Sequence, residues 1–462
     1  MTMPARILRT FTVAALFAAL ALACASKTPP ASATAPAPQP DFPPPIALQE
    51  PSQRVRPDRF DPDRTAILLN EKVLPQLDAS KTFSLGVDVL KREDFQLLDH
   101  RHVLVVTNRL ALDGEGNHLV QLLLPLRKPI VRRVVLFNDE LPAPARSAAL
   151  ERSLASYPNV RVFERTPSNF RLTPGMIEEV DLILIDLPLR PGSFNPEYGF
   201  LGGVIEDAAL NDIEVLVLDR PHPINGLVFE GPPADPGNFG KATSFRPGLL
   251  LPGLTPGEYV RMLNMRFGMG ARITVVSMEN WDRRSGMRPV YEVYDRLGLQ
   301  PWQGLDEWDE YLPRDPIAGQ LRLVRSLLPS DKVAGIETPK DKTAGLLLRT
   351  APLTAADFRA KVQGAGLSSF TCTVASEDPA TVLLTPVRLL DTPVTDSITL
   401  WSIFADSDPS FLPSGGNTGA YNTTLIFELL REGRDAPTIQ RLWQGLEPYQ
   451  QLENWRLRSL LY

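Results

Sequence analysis

Five short apolar runs recur along the first half of the chain, and each has the length of a buried β-strand. They lie at Val103–Thr107, Val134–Phe137, Val160–Phe163, Leu182–Ile185 and Val215–Leu218. The segments between them are long enough for helices, for example at Ala143–Ser156 and Leu201–Asn211. Strands and helices in alternation predict a parallel sheet with helices on both faces. The fold class expected here is therefore α/β, with a Rossmann-like domain over residues 58–282.

The second half of the chain has a different pattern. Apolar and polar residues alternate in four stretches that favour strands, at Gly345–Arg349, Phe370–Val374, Ala380–Pro386 and Ile398–Ile403. Helical periodicity returns at Tyr421–Arg431 and Ala436–Leu446. So long a chain exceeds what one hydrophobic core usually holds. We therefore expect a smaller α+β domain over residues 283–462.

The N-terminus has the pattern of a secretory signal peptide. Arg6 and Arg9 precede an apolar stretch, Phe11–Ala23, which is too short to span a bilayer as a stable helix. Small residues before Cys24 resemble a bacterial lipobox; the alternative is ordinary cleavage after an A-x-A-like site. We expect residues 1–23 to be removed, Cys24 to carry lipid, and the protein to be exported and anchored in the cell envelope, in the periplasm or at the outer membrane.

Residues 24–57 are dominated by Pro, Ala, Ser and Thr and show no periodic apolar face. Such a segment cannot bury enough surface to offset its ordering entropy, so it is expected to be a semi-rigid tether or a segment with no role. Cys372 is the only other cysteine, and an acylated Cys24 leaves it no internal disulfide partner.

The charge distribution and the sequence motifs argue against a nucleic-acid partner, a metal site and a dinucleotide cofactor. The net charge of −6 is spread without long runs, which argues against a nucleic-acid partner. The chain has only four histidines and two cysteines, and it contains neither a C-x-x-C nor an H-E-x-x-H motif. No dedicated metal site is therefore expected. Gly114-x-Gly116 is followed by Leu119 at the third glycine position, so no dinucleotide cofactor is expected. The sequence gives no oligomeric state.

Acidic and polar residues follow the predicted strands. Glu140, Asp186, Asp219 and Glu230 each stand at or just after a strand end, and Asn108 follows the first strand. The carboxyl ends of parallel strands share one edge, where α/β sheets bind ligands, so these side chains could converge there. The loop after Val215–Leu218 also carries Arg220, and Asp219 with Arg220 could instead form a salt bridge that orders the loop.

Several of these segments resemble one known family. LDRPHPINGLVFEGPPADPG, residues 218–237, is similar to the LDRPNP-x-GG-x-x-V-E-GP-x-L-D-P segment of the NamZ family of exo-β-N-acetylmuramidases. GVDVL (86–90) and VLVVTN (103–108) resemble its opening motifs. LTPGEYVRMLN (254–264), VVSMENWDRRSGM (275–287) and the terminal LLY resemble later ones.

The resemblance implies a cofactor-independent glycoside hydrolase that acts on peptidoglycan or muropeptide glycans. Glu140 occupies the family's glutamate position and is the expected general acid, with Asp219 and Glu230 as the other catalytic candidates. Arg220 would bind a lactyl or peptide carboxylate through its planar fork. Asn108, Asp186 and His222 are the remaining substrate-binding candidates.

Departures from the family pattern support an alternative function. The histidine that follows the family's glutamate is replaced by Leu141, and the loop after Asp186 lacks the family's Gln-Asp pair. The alternative is a catalytically impaired relative that serves as a glycan-binding or envelope-scaffold lipoprotein. Two of the candidate residues could also have purely structural roles: Glu140 could be a solvated loop residue, and Glu230 could cap a turn. Three tryptophans could stack on sugars or pack between domains: Trp281, Trp302 and Trp308.

Overall fold

A computed structural model describes Leu77 and residues 80–126, 128–138, 148–234, 239–246, 248–300, 312–328, 331–337, 344–375, 380–407 and 423–445. The predicted signal peptide, lipidation site and tether lie outside the described residues, as do Glu140, Trp302, Trp308 and the terminal LLY. The described residues all belong to one compact unit. Among the described residues, none of the helices is both long and apolar enough to cross a bilayer.

Within the described residues of the first half of the chain there are eight strands. They are β1 (His102–Thr107), β2 (Ile130–Phe137), β3 (Arg161–Arg165), β4 (Leu182–Asp186), β5 (Glu214–Leu218), β6 (Glu230–Pro233), β7 (Leu249–Leu251) and β8 (Ile273–Val276). Six of them form a parallel sheet in the order β3-β2-β1-β4-β5-β8, while β6 and β7 pair antiparallel. The Rossmann-like sheet predicted from the apolar runs is confirmed.

Helices cover both faces of this sheet. They are α1 (Gly86–Arg92), α2 (Leu119–Leu123), α3 (Ala148–Ala155), α4 (Pro174–Ile177), α5 (Pro196–Leu210), α6 (Pro256–Arg266) and α7 (Arg288–Arg296). Alternate strand residues enter two different apolar clusters: Leu104 and Val106 pack with α5 and α6, whereas Val103 and Val105 pack with α1, α2, α3 and α7. Burial on both faces explains why the strands are continuous apolar runs in sequence.

The second half is α+β, as predicted. Its strands are β9 (Val333–Glu337), β10 (Gly345–Arg349), β11 (Phe370–Val374) and β12 (Thr381–Pro386), which form an antiparallel sheet in the order β11-β12-β10-β9. Its helices are α8 (Pro316–Leu327), α9 (Ala355–Gly364), α10 (Pro393–Ala405), α11 (Thr423–Arg431) and α12 (Ala436–Gln444). The apolar cluster that contains α5 and α6 continues into this sheet, through Leu346 and Val382.

One predicted strand is wrong. Ile398–Ile403 lies inside helix α10, which begins with Pro393 at a position where proline suits a helix. Ile398, Leu400, Trp401 and Ile403 are all buried, so the helix lacks the broad polar face that marks a surface helix in sequence. Four strands were not predicted at all: β6, β7, β8 and β9. The edge strand β8 shows why, because it is only partly buried and carries no continuous apolar run.

Candidate functional site

The order of the strands places a crevice between β1 and β4. From β1 the chain proceeds outward to β2 and β3, and from β4 it proceeds in the opposite direction to β5. Such a reversal is a topological switch point, and α/β sheets bind ligands beyond the carboxyl ends of the strands that flank it. Thr107 ends β1, Asp186 ends β4, and the two residues are partners in the register of the sheet.

A buried ion pair lies at this edge. The guanidinium of Arg220, which follows β5, donates from Nε to Oδ1 of Asp186 and from Nη2 to Oδ2 at 2.8 Å. The two side chains are 5% and 0% exposed. This bidentate geometry fixes the guanidinium plane and leaves each charge compensated. The Arg220 guanidinium therefore pairs with Asp186, at the end of the neighbouring strand β4, while the Arg220 backbone amide donates to Asp219 Oδ1 at 3.1 Å.

Asn108 connects the loops that leave β1 and β4. Its side-chain Oδ1 accepts a hydrogen bond from the amide of Leu110 at 3.0 Å, and its Nδ2 donates to the carbonyl of Pro188 at 3.3 Å. The residue is buried. Of the predicted site residues, Asn108, Asp186 and Arg220 thus stand together at the carboxyl ends of β1, β4 and β5.

His118 also belongs to this edge and was missed by the sequence analysis. Its Nε2 lies 2.9 Å from the carbonyl oxygen of Asn108, and its Nδ1 accepts from the amide of Val120 at 3.2 Å. Because Nδ1 accepts, Nε2 carries the proton. Burial lowers the pKa of His118 to about 4, against the opposing effects of the Asn108 carbonyl and Asp186. The available sequence signal was a rare histidine just before the apolar run Leu119–Leu123.

Asp219 is used to hold a helix. Its Oδ2 accepts from the Thr255 hydroxyl at 2.9 Å, and its Oδ1 accepts from the amide of Gly257 at 2.8 Å, so the carboxyl caps the start of α6. A Cβ on Gly257 would lie 2.6 Å from Val275 Cγ1 and 3.0 Å from Asp219 Cγ, so glycine permits this approach. Burial raises the pKa of Asp219, and these hydrogen bonds oppose the shift.

The loop after Arg220 is fixed by residues 281–286. The amide of Gly226 donates to the carbonyl of Arg283 at 2.8 Å, and the indole Nε1 of Trp281 donates to the carbonyl of Gly286 at 3.0 Å. Arg283 in turn pairs with Glu258 of α6. Trp281 and His222 are buried, so the structure places Trp281 in packing contacts within this loop.

Glu230 contacts the second half of the chain. Its Oε2 accepts from the amide of Val394 at 2.8 Å, and its Oε1 accepts from the amide of Thr395 at 2.7 Å and from the Thr395 hydroxyl. The carboxyl is 1% exposed at the start of α10. Burial raises the pKa of Glu230 to about 8, although these three hydrogen bonds act in the opposite direction. Glu230 therefore joins β6 to α10.

No group of three or more His, Cys, Asp or Glu side chains among the described residues could hold a metal ion. Two surface depressions lie away from the crevice. One, of about 450 Å³, is lined by Pro174, Val180 and Ile213, which precede β4 and β5 or belong to α4, so it opens at the amino-terminal edge of the sheet. The other, of about 330 Å³, lies between α8 and β9.

Comparisons with known proteins agree with this picture. Residues 103–296 match the family described as exo-beta-N-acetylmuramidase NamZ, N-terminal. The matched segment contains Asn108, His118, Asp186 and Arg220. The chain is 27% identical over 203 residues to the peptidoglycan beta-N-acetylmuramidase NamZ of Bacillus subtilis (strain 168). That match covers 43% of this chain and 48% of the relative, so it spans about half the length of that curated protein.

Solved structures show the same fold over a longer part of the chain. The crystal structure of a DUF1343 family protein from Bacteroides fragilis aligns with a TM-score of 0.61 at 18% identity, over 84% of this chain and 100% of that one. A second DUF1343 protein from the same organism aligns with a TM-score of 0.50 at 15% identity, over 83% and 99%. The fold therefore includes both sheets, and the resemblance found in the sequence motifs is confirmed.

Proposed function

Because this chain is a NamZ-like family member, we propose that it is a glycoside hydrolase that removes N-acetylmuramyl residues from the ends of peptidoglycan fragments. The observation that carries this proposal is the cluster of buried polar side chains at the carboxyl ends of β1, β4 and β5, next to the switch point. Its side chains lie within the matched residues 103–296. It also stands at the edge where α/β sheets bind ligands.

Arg220 is the residue best suited to recognise the sugar's lactyl carboxylate. Among the described residues, Asp186 accepts from two of the five N–H donors of the guanidinium, and a guanidinium has further donors that suit a second carboxylate. The Asp186 pairing also fixes the plane of the fork before any ligand arrives, which reduces the entropy lost on binding. Asn108 and His222 are proposed to contact sugar hydroxyls.

Glu140 is the proposed general acid. It comes three residues after Phe137, the last residue of β2, and β2 is the neighbour of β1 at the switch point. Glycosidic cleavage needs a carboxylic acid that protonates the leaving oxygen, and usually a second carboxylate near the sugar. Asp186 is a described carboxylate beside the switch point, whereas Glu230 joins β6 to α10 and Asp219 caps the start of α6. No cofactor is required by this chemistry.

One observation favours the alternative, a catalytically impaired relative that binds glycans or serves as an envelope scaffold. Asp186, Asp219 and Glu230 are each held by donors of the protein itself. The sequence also replaces the family's histidine after Glu140 with Leu141. A site whose three described acids are engaged in this way could bind a glycan without cleaving it.

The N-terminal sequence supports a location at the cell envelope. We propose that residues 1–23 are a signal peptide, that Cys24 is lipidated, and that residues 24–57 tether the folded part to the membrane. Loss of the protein from the membrane fraction in a Cys24→Ala variant is the expected result. Unchanged membrane association of that variant would reject lipidation.

The test of the function is release of the chromophore from a chromogenic β-N-acetylmuramide by the full-length protein. Glu140→Gln should lower the rate by about 10²–10⁴-fold, the usual contribution of general acid catalysis. Glu432→Gln is the matched control, because that glutamate is exposed at the end of α11. Wild-type activity of Glu140→Gln would show that Glu140 is not the general acid. A folded wild type that binds muramyl fragments without cleaving them would support the alternative.

A further inference from the structure

We propose that His118 is a positioning residue that holds Asn108 in place for glycan binding at the switch point. This inference rests on the proposed function of the crevice. It adds a residue that neither the sequence motifs nor the family resemblance indicated.

The position of His118 allows it to control both ends of one loop. The loop leaves β1 at Asn108 and enters α2 after His118. At the first end, Nε2 of the imidazole donates to the Asn108 carbonyl at 2.9 Å. At the second end, Nδ1 accepts from Val120 in the first turn of α2, and the His118 amide donates to Gln121 Oε1 at 2.8 Å. The imidazole ring therefore links the start of the loop, at Asn108, to the first turn of α2.

Asn108 carries this constraint to the crevice. With its carbonyl held by His118 and its Oδ1 by the Leu110 amide, its Nδ2 is directed at the Pro188 carbonyl in the loop after β4. That last hydrogen bond is 3.3 Å long, at the weak end of the normal range. A sugar hydroxyl could therefore replace Pro188 as the partner of Nδ2 while the backbone of Asn108 stays fixed.

Burial keeps the imidazole neutral. His118 is fully buried, and its pKa is lowered to about 4, so the ring stays uncharged at neutral pH. A neutral ring can have one donor and one acceptor, which is the pattern that the two ends of the loop require. Protonation would turn Nδ1 into a second donor facing the Val120 amide. The charged groups that influence the ring are Asp186, which raises its pKa, and Arg220, which lowers it, so the two act in opposite directions.

The outer part of the loop has its own anchors. Asp113 accepts from the amides of Glu115 and Asn117 at 2.9 and 2.7 Å and from Lys91 Nζ at 2.9 Å. Tyr294 donates to the Asp113 carbonyl at 2.8 Å, so α7 also holds this part. A change at His118 should therefore loosen the inner end near Asn108 and leave the tip of the loop in place.

Two substitutions separate positioning from general stability in the full-length protein. His118→Leu removes both ring nitrogens at similar volume, whereas His118→Gln returns an N–H donor that reaches about as far as Nε2. We expect His118→Leu to lower kcat/KM on the chromogenic muramide by about 10²-fold, the effect of a misplacement near 1 Å, and His118→Gln to restore most of it. His102→Gln, a half-exposed histidine at the start of β1, is the matched control.

The proposal is overturned if His118→Leu keeps the wild-type kcat/KM, or if His118→Gln is no better than His118→Leu when both are folded. A second readout does not depend on turnover. The side-chain amide protons of Asn108, followed by NMR, should exchange with solvent faster in His118→Leu than in the wild type or His118→Gln. Unchanged exchange would also reject the proposal. An inactive wild type that binds no muramyl sugar would reject the hydrolase proposal, and the amide exchange would still decide the role of His118.

Discussion

Asp186 and Glu230 follow the same sequence pattern, an acidic residue at or after a strand, but they are stabilised by different partners. Asp186 meets the guanidinium of Arg220 at the carboxyl edge of the parallel sheet. Glu230 meets the amides of Val394 and Thr395 at the start of a helix in the second half of the chain. Both carboxyls are almost fully buried.

The difference shows how the partner decides what a buried acid can do. A guanidinium has more donors than one carboxylate can accept, so the Asp186–Arg220 pair can still bind a ligand. A helix start offers amides that point only along its axis, and Glu230 uses both of its oxygens on them. The first arrangement is suited to a binding site, and the second is suited to joining two parts of the fold.

The largest expected effect comes from breaking the ion pair. Arg220→Leu leaves Asp186 buried and uncompensated, and should lower the free energy of unfolding by about 3–5 kcal/mol in urea titrations. The double variant Asp186→Leu/Arg220→Leu should recover much of that loss, because no lone charge remains. A single variant within about 1 kcal/mol of wild type would mean that the pair is not buried as described.

A smaller effect should follow from adding a methyl group at the start of helix α6, which the Asp219 carboxyl caps. Gly257→Ala would place a methyl group 2.6 Å from Val275 Cγ1 and 3.0 Å from Asp219 Cγ. Overpacking of this kind costs about 1–3 kcal/mol, which urea titration would detect. Gly364→Ala is the control, since no atom lies within 4 Å of its added Cβ. Equal stability of the two variants would contradict the close approach of α6 to Asp219.

A third effect concerns the charge of Glu230 and appears only as a dependence of stability on pH. The folded protein retains the proton of Glu230 up to about pH 8, whereas an unfolded glutamate releases it near its ordinary pKa of 4.5. The folded state thus binds more protons within this window, so the free energy of unfolding should fall as pH rises through it. Glu230→Gln cannot accept from both the Val394 and Thr395 amides, so it should be less stable than the wild type near pH 5, but it should lose less stability between pH 5 and pH 8. Parallel pH profiles of the two proteins would reject this.

Much of the fold could be predicted because buried strands are short apolar runs. Gly345–Arg349 and Phe370–Val374 have the predicted bounds, and β5 begins one residue earlier than the predicted Val215. The error at Ile398–Ile403 has a physical cause, since a helix buried on several sides gives an apolar run much like that of a strand.

The sequence could predict where in the sheet the candidate site lies, but not which side chains pair with each other. Parallel strands align their carboxyl ends, so Glu140, Asp186, Asp219 and Glu230 were expected to converge at one edge. Asp186 and Asp219 follow neighbouring strands there, whereas Glu230 contacts α10 and Glu140 lies outside the described residues. The alternative in which Asp219 and Arg220 form a salt bridge is wrong, because the Arg220 guanidinium pairs with Asp186 and the Asp219 carboxyl caps α6. His118 carries no pattern that marks a buried neutral histidine, so its contacts could be found only in three dimensions.

The most direct test of the account is a crystal structure of the full-length protein with a bound N-acetylmuramyl ligand. The account predicts that the sugar lies beyond the carboxyl ends of β1 and β4, with its lactyl carboxylate at Arg220 and a hydroxyl near Asn108 Nδ2. A sugar bound instead in the depression lined by Pro174, Val180 and Ile213, at the opposite edge of the sheet, would contradict it.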